Sequence, residues 1–259
     1  MMNRLLPWLL PGAFGAFWVL AAAFSWVPEY LMPGPGQVLE TGRLYILGRA
    51  GDAPYAGRFV EDLVASLTRV GLGFFLATAL GLPLGVWSGR VAWVRKLFGT
   101  SVNGLRAVPG ITWLPLAMVW FGIGLKTTVF LVALAAFFPI YLNAASGASQ
   151  VNPLLLRAGA MMGVDRLRGT FAILLPAAMP AIVTGLRLGL GISWAYLVLG
   201  ELSGVPNGLG AVIMDARMLG RIDMIVVGII LIAILGRATD LALKKGLTLL
   251  FKSAARMPA

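Results

Sequence analysis

A charged segment interrupts the middle of an otherwise apolar chain, in the stretch RAGAMMGVDRLRGTFAILLP. Around a single glycine, Gly163, it gathers Arg157, Asp165, Arg166 and Arg168. Guanidinium and carboxylate groups so close together can orient a docked surface through charge-assisted hydrogen bonds. They do not form a hydrolytic or zinc-binding set, because the chain contains no histidine and no cysteine. The chemistry that this segment favours is therefore recognition of another surface rather than catalysis.

A short amphipathic helix is predicted just before Gly163. Asn152 can cap a helix, and Pro153 suits its first turn. Apolar residues then recur at helical spacing, namely Leu154, Leu155, Ala158, Met161 and Met162. Gly163 would end the helix, since glycine tolerates a positive φ. Such a helix could lie on a membrane surface, or it could dock into a groove on a partner protein.

The composition of the chain indicates an integral membrane protein. Hydrophobic residues make up 59% of the 259 residues and charged residues 12%, whereas soluble domains usually carry about 25% charged residues. The formal net charge is +11. In a membrane protein, basic loops on the inner side explain such a charge, so we do not expect nucleic-acid binding.

The apolar residues fall into segments long enough to cross a bilayer, which needs roughly 20 mostly apolar residues per helix. About six spans are predicted, near 5–27, 63–88, 97–122, 127–147, 178–201 and 222–243. The third is the weakest, because Arg106, Pro109 and Gly110 interrupt it and could break it into two pieces. The first resembles a signal peptide in its charge pattern, but its length favours an uncleaved helix.

Basic residues predict the orientation of these spans. With the N-terminus inside, the inner loops receive the Arg90–Lys96 cluster, the Arg157–Arg168 cluster, and the lysines and arginine of the C-terminal tail, including Lys252 and Arg256. Lysine and arginine near span ends set orientation. We therefore expect a multi-pass membrane protein with both termini, and the segment 149–176, in the cytoplasm.

A few residues inside the apolar segments could be functional. Three arginines lie near predicted span ends, where snorkelling to the interface is the favoured explanation: Arg69, Arg187 and Arg237. Arg106 is deeper and could face a cavity. Three glycines of the fifth segment fit close packing between helices: Gly185, Gly189 and Gly191.

The charged segment resembles the EAA loop of permease subunits of ABC importers. At the spacing of that motif stand Ala158, Gly163, Ile173, Leu175 and Pro176. Two positions depart from it: Arg157 replaces the glutamate and Gly159 replaces the second alanine. The resemblance implies an ATPase-coupling loop that comprises Arg157, Ala158, Gly163, Val164, Asp165, Ile173, Leu175 and Pro176.

Most of the chain after residue 30 resembles the sulfonate, taurine and nitrate branch of these permeases, in LMPGPGQVL, AVPGITWLPLAMVWFGIG and AAFFPIYLNAASG among other stretches. The resemblance implies an all-α, polytopic fold of the type I importer class, shared with methionine and molybdate permeases. It divides the chain into residues 1–60, a first helix with a periplasmic loop, and residues 61–250, the permease domain with the coupling loop 149–176. By the same resemblance, a tentative pathway comprises Arg106, Ser193, Trp194 and Glu201.

The resemblance also implies a location in the bacterial cell (inner) membrane, and it implies partners. They are a second permease copy in a homodimer, two ATPase subunits, a periplasmic or lipid-anchored solute-binding protein and membrane lipid. The chain lacks a contiguous Gly-Lys-Ser/Thr phosphate loop, so ATP would be bound by the partner and no cofactor by this chain. The expected function is a non-enzymatic permease subunit that moves a small anion such as a sulfonate, taurine or nitrate. The alternative is a secondary transporter driven by an ion gradient.

Overall fold

The protein is described by a computed structural model over residues 2–250, with side chains from residue 9 to residue 249. Lys252 and Arg256 of the predicted inner tail lie outside the described residues. The helices in chain order are α1 (Met2–Ala23), α2 (Pro35–Leu47), α3 (Phe59–Arg90), α4 (Ala92–Ala107), α5 (Trp113–Phe121), α6 (Leu125–Gln150), α7 (Pro153–Met161), α8 (Arg166–Gly169), α9 (Leu175–Glu201), α10 (Leu209–Met218) and α11 (Ile222–Leu250). A 3₁₀ turn covers Gly110–Thr112, and a π-helical segment covers Thr170–Leu174. The described chain divides into two compact units, with boundaries after Ala65, Val205 and Ala233.

Four helical stretches of the described chain are long and apolar enough to cross a membrane, namely Phe59–Arg90, Leu125–Gln150, Arg166–Glu201 and Ile222–Leu249. A fifth span results if the bent pair α4 and α5 counts as one. In α1 the described apolar stretch, Leu9–Ala23, is shorter than these spans. About six spans were predicted, and four or five are found among the described residues. The largest differences in their bounds are that the fifth predicted span begins at Arg166 rather than about 178, and that the sixth continues to Leu249 rather than about 243. The length of an apolar run does not show where a helix ends when its last turns carry charged residues.

The predicted interruption of the third segment is confirmed. The chain bends by 81° between Ala92–Ala107 and Gly110–Phe121. Val108 is extended, with φ −76° and ψ 119°, as expected for the residue before a proline. Gly110 permits the close approach that follows, since a side chain there would collide with the ring of Tyr196.

The core of the second unit is the packing of α6 against α9. At Gly185 an added Cβ would lie 2.6 Å from the Cβ of Asn143, and at Gly189 it would lie 2.9 Å from Ile140. These two glycines therefore let the helices approach closely, as predicted. The prediction for Gly191 was wrong, because no described atom lies within 4 Å of a Cβ added there. Gly191 is exposed.

Candidate functional site

The start and the end of α7 follow from local chemistry. The Asn152 side-chain oxygen accepts a hydrogen bond from the backbone N–H of Leu154 at 2.9 Å, and Pro153 takes the first helical position. After α7 the chain turns at Gly163, whose φ is +81°. The N–H of Gly163 donates to the carbonyl of Ala160 at 3.0 Å. The predicted cap and glycine turn are both confirmed.

A second helical start follows at once. The Asp165 carboxylate accepts from the backbone N–H of Arg168 at 2.9 Å and caps α8. The chain then widens into the π-helical segment before α9. Pro176 has no N–H to donate to the preceding turn and its ring crowds that turn, which accounts for the wider winding just before it. Segments of this kind are frequent at functional sites.

The loop presents apolar side chains outward. The most exposed are Leu154, Met161, Met162, Leu167 and Phe171. Met161 is 90% exposed and Phe171 66%. An apolar surface of this kind, flanked by arginines, is typical of a surface that another protein covers.

The residues that the resemblance marks divide into outward and inward sets. Arg157, Ala158 and Asp165 are exposed, whereas Ile173 is half-buried. The side chain of Ile173 occupies the space beside Gly159, where an added Cβ would collide with it. This contact gives a physical reason for glycine at a position where the family motif has alanine.

Behind the loop lies a cavity of about 310 Å³. Its charged lining residues are Arg90, Arg157, Asp165 and Arg166. Three cations therefore face one carboxylate, which already serves as the α8 cap. The cavity suits an anionic group.

The tentative pathway residues are not all brought together. Arg106 is exposed in the last turn of α4. Three others are buried on α9: Ser193, Trp194 and Glu201. The indole N–H of Trp194 donates to the hydroxyl of Thr239 at 3.0 Å, and the hydroxyl of Ser193 donates to the carbonyl of Gly189 at 2.8 Å. The first bond joins α9 to α11, whereas the second lies within α9 itself.

A buried charge pair joins α3 to α9. Arg69 donates to the Glu201 carboxylate at 2.7 Å, and Ser66 donates to the same carboxylate at 2.8 Å. Arg69 is 5% exposed and Glu201 is fully buried. Snorkelling was therefore the wrong interpretation for Arg69, because the structure provides a carboxylate inside the chain. No short-range pattern could reveal a partner 132 residues away.

A second charge pair joins α9 to α11. Arg187 donates two hydrogen bonds to Asp240, at 2.7 and 2.9 Å. Arg237 adds a third bond to the same carboxylate at 3.2 Å. For Arg187, too, pairing replaces the predicted snorkelling. Arg237 remains 67% exposed along its side chain although it pairs with Asp240.

The first unit has a carboxylate centre that sequence reasoning missed. Asp62 is fully buried. It accepts from the hydroxyl of Tyr45 at 2.9 Å and from the backbone N–H of Gly208 at 2.8 Å. Nearby in this unit, hydrogen bonding to Asp223 raises the pKa of Arg221 above its ordinary value. Burial raises the pKa of the Tyr55 phenol, and the negative charge of Asp215 adds to the effect.

Comparison with known proteins decides the family. Residues 81–244 match the model of the binding-protein-dependent transport system inner membrane component. The chain belongs to this family. A taurine transport system permease protein of Escherichia coli strain K12 is 34% identical over 228 residues, 88% of this chain and 82% of that protein. A nitrate import permease protein of Synechocystis sp. is 32% identical over 81% of this chain and 76% of that protein.

The fold of this inner membrane component is shared with a solved structure. A chain of the MetNI methionine ABC transporter, in an inward-facing conformation, superposes with a TM-score of 0.59. The match covers 74% of this chain and 99% of that chain at 21% identity. The predicted family and the predicted type I importer fold are thus confirmed. The chain is a permease subunit of an ABC importer, and its family works with an ATPase and a solute-binding protein.

Proposed function

We propose that this permease subunit pairs with a second copy of itself to form the translocation pathway for a small anion of the sulfonate, taurine or nitrate class. The observation that carries the substrate class is the similarity of the chain to three proteins named for the transport of aliphatic sulfonates, taurine and nitrate. A permease protein named for aliphatic sulfonate transport in Bacillus subtilis is 34% identical over 90% of this chain. The taurine and nitrate permeases are similar at 34% and 32%.

In this proposal the loop 149–176 of each permease copy is the cytoplasmic surface that an ATPase subunit, the motor of the transporter, contacts. Its exposed apolar residues, with Met161 at 90% exposure, supply affinity for a groove on the motor. Arg157 and Asp165 supply orientation. The turn at Gly163 sets the direction in which α7 leaves the membrane-spanning helices. Closure of the motor then moves those helices as a rigid body.

The loop residues proposed to couple ATP hydrolysis to transport are the motif positions Ala158, Gly163, Ile173, Leu175 and Pro176, together with Arg157, Val164 and Asp165. ATP itself is bound by the partner subunit, and this chain carries no ATPase site of its own. Both termini lie in the cytoplasm, and a periplasmic or lipid-anchored binding protein delivers the solute to the opposite face.

The proposed pathway residues divide by exposure. Arg106 is exposed and can meet an anion directly. Ser193, Trp194 and Glu201 are buried within the chain, which supports a role in positioning α9 rather than in touching the solute. Arg106→Gln is therefore the first variant for a solute-affinity measurement.

Uptake by reconstituted proteoliposomes tests the proposal. The chain, its cognate ATPase and its binding protein are supplied together with labelled taurine or nitrate. Uptake should require ATP inside the vesicle and stop with vanadate, and it should continue when a protonophore collapses the proton gradient. Uptake without the ATPase that is lost with the protonophore would instead establish the secondary transporter.

A further inference from the structure

A groove of about 780 Å³ runs along the second unit beside the C-terminal half of α3 and the π-helical segment. We call it the inner groove. Its apolar walls include Leu82, Val86, Phe171 and Leu175, and its charged residues are Arg90 and Arg166. It shares Arg166, Phe171 and Leu175 with the loop 149–176, but its other wall is the C-terminal half of α3.

The two arginines lie at one end of this groove. Arg90 ends α3, eight residues beyond Leu82, and Arg166 precedes Leu175 by nine residues. At 1.5 Å per helical residue, the Cα of Arg90 lies about 12 Å along the α3 axis from that of Leu82. The groove is therefore apolar along its length and cationic at its mouth.

The positive charge at the mouth is unmatched. None of the ion pairs among the described side chains includes Arg90 or Arg166. Both arginines also line the smaller cavity behind the coupling loop. Asp165 is the one carboxylate among the residues that line this smaller cavity. One of the Asp165 oxygens already accepts a hydrogen bond from the backbone N–H of Arg168.

Aromatic residues place this mouth at the depth of lipid headgroups. Trp87 and Trp93 flank Arg90 in sequence and pack edge to face, with ring centroids 6.3 Å apart. They are 53% and 61% exposed. Exposed tryptophans at the end of a span are typical of the membrane–water interface.

We propose that the inner groove binds an anionic phospholipid. Arg90 and Arg166 hold its phosphate, since the planar guanidinium matches phosphate oxygens with paired hydrogen bonds. One acyl chain lies along Leu82, Val86 and Leu175. Basic pockets between helices at a membrane face bind anionic headgroups for the same reason. Because Arg166 and Phe171 belong to the part of the loop 149–176 that leads into α9, a bound lipid contacts this part of the loop directly.

Native mass spectrometry of the full-length protein tests the proposal, with phosphatidylglycerol titrated into a phosphatidylcholine and detergent background. The test variant is R90Q/R166Q. The matched control is R95Q/K96Q, which removes the same charge from exposed residues of the same cluster that line neither cavity. Two hydrogen-bonded contacts of about 1 kcal/mol each, at 1.4 kcal/mol per tenfold, predict about 30-fold weaker binding for R90Q/R166Q. The control should bind as the wild type does.

Three results would overturn the proposal. The first is equal loss in the test and control variants, which would indicate attraction by charge alone. The second is displacement of the lipid by inorganic phosphate, since a free anion gains nothing from the apolar walls. The third is that a thiol introduced by F171C fails to react with a maleimide in dimers, both with and without lipid. A second copy of the chain would then cover the groove. If the double variant fails to fold, R166Q by itself should still weaken binding about fivefold.

Discussion

Arg69 and Glu201 form a hydrogen-bonded ion pair at 2.7 Å, and both side chains are buried within the chain. Their helices meet at the end of α9, where Glu201 is its last residue. The pair therefore ties the position of α9 to that of α3. Any motion of α9 relative to α3 therefore acts on this contact.

Breaking this pair from one side should destabilise the protein strongly. Arg69→Met leaves Glu201 buried without its cation, and we expect a loss of about 3–5 kcal/mol in the free energy of unfolding. Denaturant unfolding in detergent, followed by tryptophan fluorescence, measures it. R237M is the control, because it breaks an exposed pair and should cost about 1 kcal/mol or less. The double variant R69M/E201L should recover most of the loss, and equal instability of the double and single variants would contradict this account.

Gly163→Pro should uncouple ATP hydrolysis from uptake and leave membrane insertion intact. Proline fixes φ near −65°, whereas Gly163 has φ +81°. Proline at 163 therefore strains the turn, and each 1.4 kcal/mol of this strain lowers the population of loops docked correctly on the ATPase about tenfold. The measurement is the ratio of ATP hydrolysed to solute transported in proteoliposomes.

Gly220→Pro is the matched control for this variant. Gly220 has φ +69° and donates its N–H to the residue three positions earlier, as Gly163 does. No described atom lies within 4 Å of a Cβ added at either glycine. G220P should leave the transport ratio unchanged, so an equal effect of the two substitutions would remove the turn at Gly163 from the coupling mechanism.

Asn152→Ala should loosen α7. It removes the cap on the Leu154 N–H, which is worth about 1 kcal/mol in typical helices. Hydrogen exchange of the amides of α7 should become about fivefold faster. N152D keeps an acceptor and should restore protection. Gln150→Ala removes a neighbouring exposed side chain that caps no helix, and an equal acceleration there would contradict the assignment of the cap.

Gly185→Ala and Gly191→Ala should act in opposite directions on the same helix. A methyl group at 185 would meet the Cβ of Asn143 at 2.6 Å and the carbonyl of Pro139 at 3.0 Å. We expect a loss of about 1–3 kcal/mol in stability. At 191 the methyl meets open space, and the better helix propensity of alanine predicts a gain of up to about 1 kcal/mol. Thermal unfolding in one detergent compares the pair.

Thiol labelling checks the proposed orientation of the spans. The natural chain has no cysteine, so single substitutions report one position each. Met161→Cys should react with a membrane-impermeant maleimide only after the cells are permeabilised. Gln37→Cys, also at an exposed residue, should react in intact cells. Labelling of M161C in intact cells would show that the loop 149–176 faces the periplasm. It could then not contact an ATPase subunit in the cytoplasm.

Features that depend on a few consecutive residues were predictable from the sequence. The cap at Asn152 and the turn at Gly163 follow from local hydrogen bonding and from the φ range open to glycine. The bend near Pro109 follows from the restricted backbone before proline. Composition and the length of the apolar segments indicated a membrane protein. Each spanning helix must by itself be long and apolar enough to cross the bilayer, so this property can be read from one segment at a time.

Pairing and packing required the tertiary structure. The partners of Arg69 and Arg187 are 132 and 53 residues away, and nothing near either arginine in sequence indicates them. Gly185 and Gly191 look equivalent in sequence, yet one faces α6 and the other faces outward. Which side of a helix faces which neighbour depends on how the helices rotate when they pack. That rotation depends on many distant side chains at once. The sequence by itself therefore determined local features of this permease, such as the cap, the turn and the apolar segments. Only the packing of its helices decided the charge pairs and the inner groove.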